Sequence, residues 1–146
     1  MTPEDARWRF SGARVARLAT VGPDGAPHLV PITFAVAGDR IFTAIDAKPK
    51  RTTTLRRIAN LRADPRASVL VDHYVAEWSE LWWARGDGRA SIVEAGDELQ
   101  AIRQRLRERY PQYAETALDG PAIVIDVERW SGWAADSGPL ARGVRG

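Results

Sequence analysis

Residues 46–72 read DAKPKRTTTLRRIANLRADPRASVLVD and place a basic turn, a helix and a strand in direct succession. Both lysines of the chain fall in the basic turn, at Lys48 and Lys50. One anionic side chain, Asp64, stands among seven cationic ones, which are Lys48, Lys50, Arg51, Arg56, Arg57, Arg62 and Arg66. This imbalance predicts a binding site for an anion.

A helix is predicted directly after the lysines. Its apolar positions recur at helical spacing, at Leu55, Ile58 and Leu61. Asp64-Pro65 ends it, because proline moves the residue before it away from the helical conformation. The threonine hydroxyl is a good N-cap, and the candidates are Thr52, Thr53 and Thr54.

The start of this helix is suited to a phosphate group. A helix N-terminus presents unpaired N–H groups and the positive end of the helix dipole, so an anion beside Arg51 and Thr52 meets fixed donors. Pro49 stiffens the approach of the two lysines. The alternative is a solvated basic helix without a ligand, since charge runs are common on protein surfaces.

The composition predicts one soluble domain. With 146 residues and no cysteine, the chain is long enough to bury a core without metals or disulfides. It has no apolar run that would span a bilayer and no signal-peptide pattern, which predicts a cytoplasmic protein. The net charge of only +2 argues against a general nucleic-acid or membrane-surface binder.

Strand patterns on both sides of the basic stretch predict a mainly β protein. Pro31 interrupts the second strand, which confines that strand to a sheet edge or breaks its pairing. The expected elements are a helix from Thr2, strands over 15–21, 27–36 and 40–45, the basic helix, a strand over 67–74, one bent strand or a hairpin of two within 78–93, a helix over 96–110 and a strand over 122–127.

Short turns between strands indicate antiparallel pairing. We therefore expect six to seven antiparallel strands in a small barrel, flanked by two to three helices. Residues 1–133 would form this domain. Residues 134–146 are small, polar and glycine-rich, and we expect them to form a flexible tail.

The sequence indicates no catalytic side chain and no metal site. The two histidines, His28 and His73, lack metal-ligand spacing, and a structural or solvent-facing role is the better interpretation of each. Neither a G-x-S-x-G elbow nor a glycine-rich phosphate loop is present. If the protein is an enzyme, a bound cofactor would carry the reactive chemistry.

Three tryptophans are concentrated in six residues, at Trp78, Trp82 and Trp83. We expect most of this aromatic surface to lie in the core or in a subunit interface. Stacking against a planar ligand is the alternative.

These patterns together resemble the pyridoxamine 5'-phosphate oxidase-like split β-barrel superfamily. The resemblance rests on ARLATVGPDGAPHLVPITF at residues 16–34 and KPKRTTTLRRIANLRADPRASVLVD at residues 48–72. The motifs DHYxxxWSELWW at 72–83 and RWSGW at 129–133 extend it over nearly the whole chain. Within the superfamily the chain is most similar to the FDOR-B-like branch of flavin/deazaflavin oxidoreductases, a group thought to use coenzyme F420.

The resemblance implies a split barrel of the FMN-binding type that forms a homodimer, with two cofactor sites at the subunit interface. The residues implied to hold the cofactor phosphate are Lys48, Lys50, Arg51 and Thr52, with Arg56 and Asn60 nearby. The residues implied to border the planar ring through backbone contacts are Pro31, Ile32, Thr33, Ala44, Ile45 and Asp46. The tryptophan-rich strand would cross the dimer interface.

The implied activity is hydride transfer between F420 and a small conjugated substrate, with no dedicated catalytic residue. F420 is favoured over FMN because its polyglutamate tail extends beyond the phosphate, which would give Arg56 and Arg57 a purpose. Two alternatives remain open, an FMN-dependent oxidase or reductase and a non-catalytic protein that binds F420 or flavin. A nucleic-acid binder is the least supported.

Overall fold

The computed structural model describes residues 1–45 and 51–136, with the backbone alone for residues 51–55. In this part of the chain there are three α-helices, α1 (Pro3–Gly12), α2 (Arg51–Ala63) and α3 (Gly96–Arg109). The strands are β1 (Ala16–Val21), β2 (Pro27–Ile32), β3 (Ala35–Ala37), β4 (Arg40–Ala44), β5 (Arg66–His73), β6 (Trp82–Val93) and β7 (Ala122–Ala134).

All seven of these strands belong to one antiparallel sheet with the order β2-β1-β5-β6-β7-β4-β3. The two edge strands, β2 and β3, follow each other in the chain, so the sheet must curl to bring its edges together. One face becomes the interior, where Leu18, Val69 and Ile125 are fully buried. The predicted mainly β, antiparallel barrel with flanking helices is confirmed.

The strand predicted over residues 27–36 is divided in two. Pro31 lies on the edge strand β2, as expected for a proline in a sheet. Thr33 and Phe34 belong to neither strand, and they carry the chain from the β2 edge to the β3 edge. This two-residue break between β2 and β3 is where the barrel is split.

The segment that begins with Trp82 and Trp83 forms one long strand, β6, and not a hairpin. It pairs along its whole length with β7, from Trp82 opposite Ala134 to Val93 opposite Ala122. The expected final strand over 122–127 was therefore too short. Its extension pairs with the first half of β6, which local pattern alone does not reveal.

The helices close the barrel at different places. From α1, Ala6 and Phe10 enter the interior, where Phe10 makes edge-on ring contacts with Phe34 at 5.0 Å and Trp130 at 5.2 Å. Ile58 and Leu61 of α2 enter the same core. Helix α3 packs its apolar stripe outside the barrel, on β3, β4 and β7, in a second core.

The predicted start of the first helix is confirmed, and that of the second is wrong. The Thr2 hydroxyl accepts a hydrogen bond from the backbone N–H of Asp5 at 3.1 Å and caps α1. In contrast, α2 already begins at Arg51, so the three threonines at positions 52–54 lie inside its first turn and none is the N-cap. The helix ends before Asp64-Pro65, as predicted.

Part of the predicted tail still belongs to the sheet. Ala134 is the last residue of β7, and the N–H of Ala135 donates to the carbonyl of Leu81 at 2.9 Å. Residues 137–146 lie outside the described residues, so the flexible tail stays a prediction. Among the described helices, none has the length and apolar character needed to cross a membrane.

The pairing of β6 with β7 shifts register where Glu128 of β7 is the extra residue, and the β6 residue at this point, Gly88, has no side chain. A Cβ atom at Gly88 would overlap the carbonyl group of Asp126 on β7. We expect Gly88→Ala to lower the free energy of unfolding by about 1–3 kcal/mol, because the two strands would have to separate. Chemical denaturation measures this change.

Gly12→Ala is the matched control. Gly12 is the last residue of α1, and a Cβ there would meet nothing within 4 Å. Its stability should equal or slightly exceed that of the wild type, since alanine favours helix more than glycine does. Equal stability of the wild type and Gly88→Ala would contradict the close approach of β6 and β7.

Candidate functional site

Helix α2 is fixed on the barrel by a buried polar contact. Asn60 is 4% exposed, and its Nδ2 donates to the Thr20 hydroxyl of β1 at 3.1 Å. The turn between β1 and β2 lies beside it, closed by the N–H of Gly22 and the carbonyl of Ala26 at 2.7 Å. Asn60 was predicted to lie near the cofactor, and its side-chain amide already donates a hydrogen bond within the protein.

An open cleft of about 560 Å³ lies between α2 and the start of β2. This size is within the range of small-molecule sites. Its apolar wall is formed by residues of the β1–β2 turn and by Ala59, and its polar groups come from His28, Arg56 and Asn60. We call it the α2 cleft. It contains two of the predicted site residues, Arg56 and Asn60.

His28 is the polar group in the α2 cleft that is left unsatisfied. Its Nδ1 atom is buried and has no hydrogen-bond partner among the described residues. Burial lowers the pKa of His28 from its usual value of 6.5, and the positive charges of Arg56 and Arg57 lower it further. These surroundings disfavour the positively charged imidazolium, and the Nδ1 atom of the ring is the buried one.

Two cations of the basic stretch are already paired. Arg62 forms an ion pair with Glu94 at the end of β6. Arg66 grips Asp64 at 2.6 Å, and its hydrogen bonds lower the pKa of Asp64 to about 2. Within the described residues Arg56 has no such partner, so positive charge remains toward the start of α2.

The ring-border residues from the first half of the chain lie at the break between β2 and β3. Pro31 is exposed and has no N–H to donate, and the Ile32 side chain is buried in the core. Thr33 is half-buried, and its hydroxyl lies 2.5 Å from the hydroxyl of Tyr113. Of these three side chains, Thr33 is the one that brings a polar group to the break.

Ala44 and Ile45 reach the same end of the β3–β4 pair, because Ala35 is opposite Phe42 in the antiparallel register. Their side chains are buried. The N–H of Ile45 donates to the carbonyl of Pro121 at 3.0 Å, and its carbonyl accepts from Gly120 at 3.2 Å. A ring contact at Ile45 would therefore use the second lone pair of its carbonyl or van der Waals contact.

The core of the predicted phosphate site falls outside what the structure describes. Asp46, Lys48 and Lys50 lie in residues 46–50, and only the backbone of Arg51 and Thr52 is described. Their assignment to the phosphate stays a prediction. Of the described neighbours, Arg56 and Asn60 of α2 line the α2 cleft together with His28.

Two tyrosines beyond α3 approach the predicted site, and no sequence motif singled them out. Tyr110 marked only the end of a predicted helix and Tyr113 belonged to no motif, yet both hydroxyls bond to the residues of the β2–β3 break. His28 was also undervalued, because its burial depends on α2 packing above it. Only the closed barrel brings these residues together.

Within the tryptophan-rich segment, Trp82 packs against the barrel core, as expected for part of this aromatic surface, and none of the three rings is fully buried. Trp78 is 76% exposed, and Trp82 and Trp83 are half-buried. The guanidinium of Arg9 lies 5.4 Å from the ring centre of Trp82, and that of Arg85 lies 5.5 Å from the ring centre of Trp83. In the described residues, the acidic and histidine side chains form no group of three that would hold a metal ion.

The pKa of His28 predicts a pH dependence of stability. Because its pKa is lower when folded, the unfolded chain binds more protons at His28 as the pH falls below 6.5. Stability is therefore lost as the pH decreases through that window. We expect His28→Gln to lose less stability between pH 7.5 and pH 5 than the wild type, as measured by urea denaturation at each pH. Parallel profiles of the two proteins would contradict the buried imidazole.

Comparisons with known proteins agree with this fold. A conserved hypothetical protein from Mycobacterium tuberculosis is 28% identical, with 92% of this chain and 86% of that chain covered and a TM-score of 0.73. A FAD-binding protein from Mesorhizobium loti is 22% identical, over 90% of this chain and 94% of that one, with a TM-score of 0.70. The haem storage protein from Vibrio cholerae is 18% identical, over 90% and 92%, with a TM-score of 0.66.

The last two similarities concern the fold alone. No curated protein matches the chain significantly. A family model described as pyridoxamine 5'-phosphate oxidase matches residues 2–134, which include all seven described strands. The chain therefore belongs to the pyridoxamine 5'-phosphate oxidase family.

Proposed function

We propose that the chain is a cytoplasmic oxidoreductase that binds coenzyme F420, as in the FDOR-B-like branch, and transfers a hydride between it and a small conjugated organic substrate. The α2 cleft carries this proposal. It extends the predicted phosphate site along the helix, and it contains a cation and an unsatisfied ring nitrogen. A cofactor that continues beyond its phosphate would use both.

The position of these groups along α2 favours an extended cofactor. Arg56 is five residues and Asn60 nine residues after Arg51. These separations correspond to about 8 Å and about 14 Å along an α-helix. FMN ends at its phosphate and would leave the α2 cleft empty, whereas the polyglutamate tail of F420 extends beyond the phosphate.

The groups in the α2 cleft suit a carboxylate. Arg56 offers a planar guanidinium, which binds carboxylates through paired N–H groups. The buried Nδ1 of His28 can donate in the appropriate neutral tautomer, which would satisfy an atom that otherwise lacks a partner. The main role of Asn60 is to hold α2 in position and not to bind the ligand, because its amide already bonds to Thr20.

When bound in its reduced form, F420 would supply the two electrons of the reaction as a hydride. The basic residues before α2 and the start of the helix would hold the phosphate, which leaves the β2–β3 break to align the ring edge. Alignment of the two reactants and exclusion of water then provide the rate enhancement. No side chain needs to exchange a proton with the cofactor in this scheme.

FMN is the second candidate, because it would use the same phosphate site without the α2 cleft. A non-catalytic cofactor-binding protein is the third, and the fold shared with a FAD-binding protein and a haem storage protein is compatible with it. The alternatives differ in the ligand that binds and in whether the protein catalyses a reaction, and both properties can be measured.

A binding titration with F420, FMN, FAD and haem tests the assignment. We expect F420 to bind more tightly than the other three. Arg56→Ala should weaken F420 binding about tenfold, the usual loss when a charged hydrogen bond is removed, and should change FMN binding less than about twofold. Lys50→Ala and Arg51→Ala should weaken both, because both cofactors carry the phosphate.

Arg62→Ala is the matched control, since it removes an arginine from the same helix that is already paired with Glu94. It should leave F420 binding unchanged. Tighter binding of FMN, FAD or haem would reject F420 as the cofactor. Oxidation of reduced F420 by a panel of quinones and enones would separate an enzyme from a carrier, since a carrier shows no turnover.

We also propose that two copies pair through the outer face of β1, β5 and β6. The helices that contact these strands place their apolar residues in the barrel interior. On the outer side, Arg17, Leu70 and Arg85 stand in one row across the three strands. A surface cleft of about 340 Å³ opens there, and Trp83 lines it. Partly exposed aromatic and arginine side chains are typical of subunit interfaces.

Leu70→Glu tests this interface. The new carboxylate would stand between Arg17 and Arg85 in the register, so the single subunit should still fold. In a dimer two such charges would be buried, and we expect the protein to become monomeric. Ala101→Glu, on the exposed side of α3, is the control. Sedimentation measures the oligomeric state, and a monomeric wild type would refute the proposal.

A further inference from the structure

The β2–β3 break is held by two tyrosines from the segment that follows α3. Tyr110 is the residue next after α3, and Tyr113 lies in a short 3-10 helix, Pro111–Ala114. Their rings meet edge to face at 5.9 Å. Tyr110 bonds to the backbone of Phe34, and Tyr113 bonds to the side chain of Thr33. Each of the two residues of the break is therefore hydrogen-bonded to a different tyrosine.

The hydroxyl of Tyr110 is fully used within the protein. It is 3.1 Å from the N–H of Phe34 and 3.0 Å from the carbonyl of the same residue. It also lies 2.9 Å from the carbonyl of Arg14 and 3.2 Å from Nε of Arg109. A phenol has one hydrogen to donate and two lone pairs, so this group has no capacity for a ligand.

The hydroxyl pair of Thr33 and Tyr113 differs in this respect. Two hydroxyl groups carry two hydrogens, and the bond of 2.5 Å between them uses one. The other hydrogen remains to be donated to a third group. If Tyr113 donates to Thr33, the hydrogen of Thr33 is the one available, and it lies at the predicted border of the cofactor ring.

We propose that Tyr113 is a positioning residue that orients the Thr33 hydroxyl toward a carbonyl oxygen of the cofactor ring. The inference rests on the proposed function, because it takes the β2–β3 break to be the ring border. It applies equally to F420, FMN and FAD, because all three share the carbonyl-bearing pyrimidine ring.

The chemistry of the pair suits this role. A hydroxyl that accepts a hydrogen bond becomes a stronger donor, so the phenol would polarise the Thr33 hydroxyl. Phe34 is completely buried and its backbone is bound to Tyr110, which fixes the backbone beside Thr33. With the backbone fixed, the bond to Tyr113 selects the side-chain rotamer. A hydrogen bond to the ring carbonyl would favour electron-rich forms of the ring.

Four proteins test the proposal: the wild type, Tyr113→Phe, Thr33→Val, and the double variant. For each, the dissociation constant of the cofactor that the wild type binds and the absorption spectrum of the bound ring are measured. Each single variant should weaken binding about 3- to 10-fold, as expected for one hydrogen bond, and should shift the ring spectrum. The double variant should be no weaker than Thr33→Val, because Tyr113 acts through Thr33.

Thr33→Ser is the conservative control, since it keeps the hydroxyl and should retain the spectrum of the wild type. A merely structural role predicts a lower melting temperature with an unchanged spectrum, and that result would overturn the inference. Additive losses in the double variant would overturn it as well. A wild type that binds only haem, or none of the four cofactors, refutes the proposed function and this inference with it, and this outcome is visible before any variant is compared.

Discussion

The pairing of β6 with β7 is the constraint on which the rest of the structure depends. These strands join the part of the sheet that contains β1, β2 and β5 to the part that contains β3 and β4. They can approach along their full length because glycine stands where a side chain would strike the opposite backbone, at Gly88 and again at Gly132. A closed interior exists only when this ladder is complete, since β2 and β3 otherwise remain distant edges.

The same closure places α2. The helix leaves β4 in one part of the sheet and returns to β5 in the other, so its position requires both. Its polar anchor is the hydrogen bond between Asn60 and Thr20. This bond stabilises the position of α2, because a buried amide without a partner would cost free energy. Once α2 is fixed, Arg56 faces His28 and the α2 cleft is formed. The charge distribution follows, because Arg62 and Arg66 have acidic partners in place.

At the β2–β3 break the sheet hydrogen bonds are missing, and side chains from outside the sheet replace them. Two residues leave the sheet there, and their polar groups need other partners. Tyr110 and Tyr113 supply these partners. The hydroxyl of Tyr110 has all its hydrogen bonds within the protein, whereas the hydroxyl pair of Tyr113 and Thr33 keeps one hydrogen that can still be donated. A segment that is rigid at Phe34 and still has donor capacity at Thr33 is well suited to hold a planar ligand. The predicted ring site would thereby be built on the scaffold and not on a free loop.

The sequence by itself determined those features that depend on residues close together in the chain. The strands follow from alternation, Thr2 caps α1, Asp64-Pro65 ends α2, and Pro31 lies at an edge, since each is a local backbone preference. The family resemblance likewise rested on ordered local motifs and identified the superfamily. The start of α2 was misplaced because the local pattern assigned the capping role to a threonine, whereas the helix already begins at Arg51.

The tertiary structure alone decided how distant residues meet. The length of β7, the burial of the Nδ1 atom of His28, the pairing of Arg62 with Glu94 and the approach of Tyr113 to Thr33 could not be read from the sequence. The last two contacts join residues that are 32 and 80 positions apart. Such contacts form only when the barrel closes, because the cost in chain entropy of bringing them together is offset by burial of the shared core.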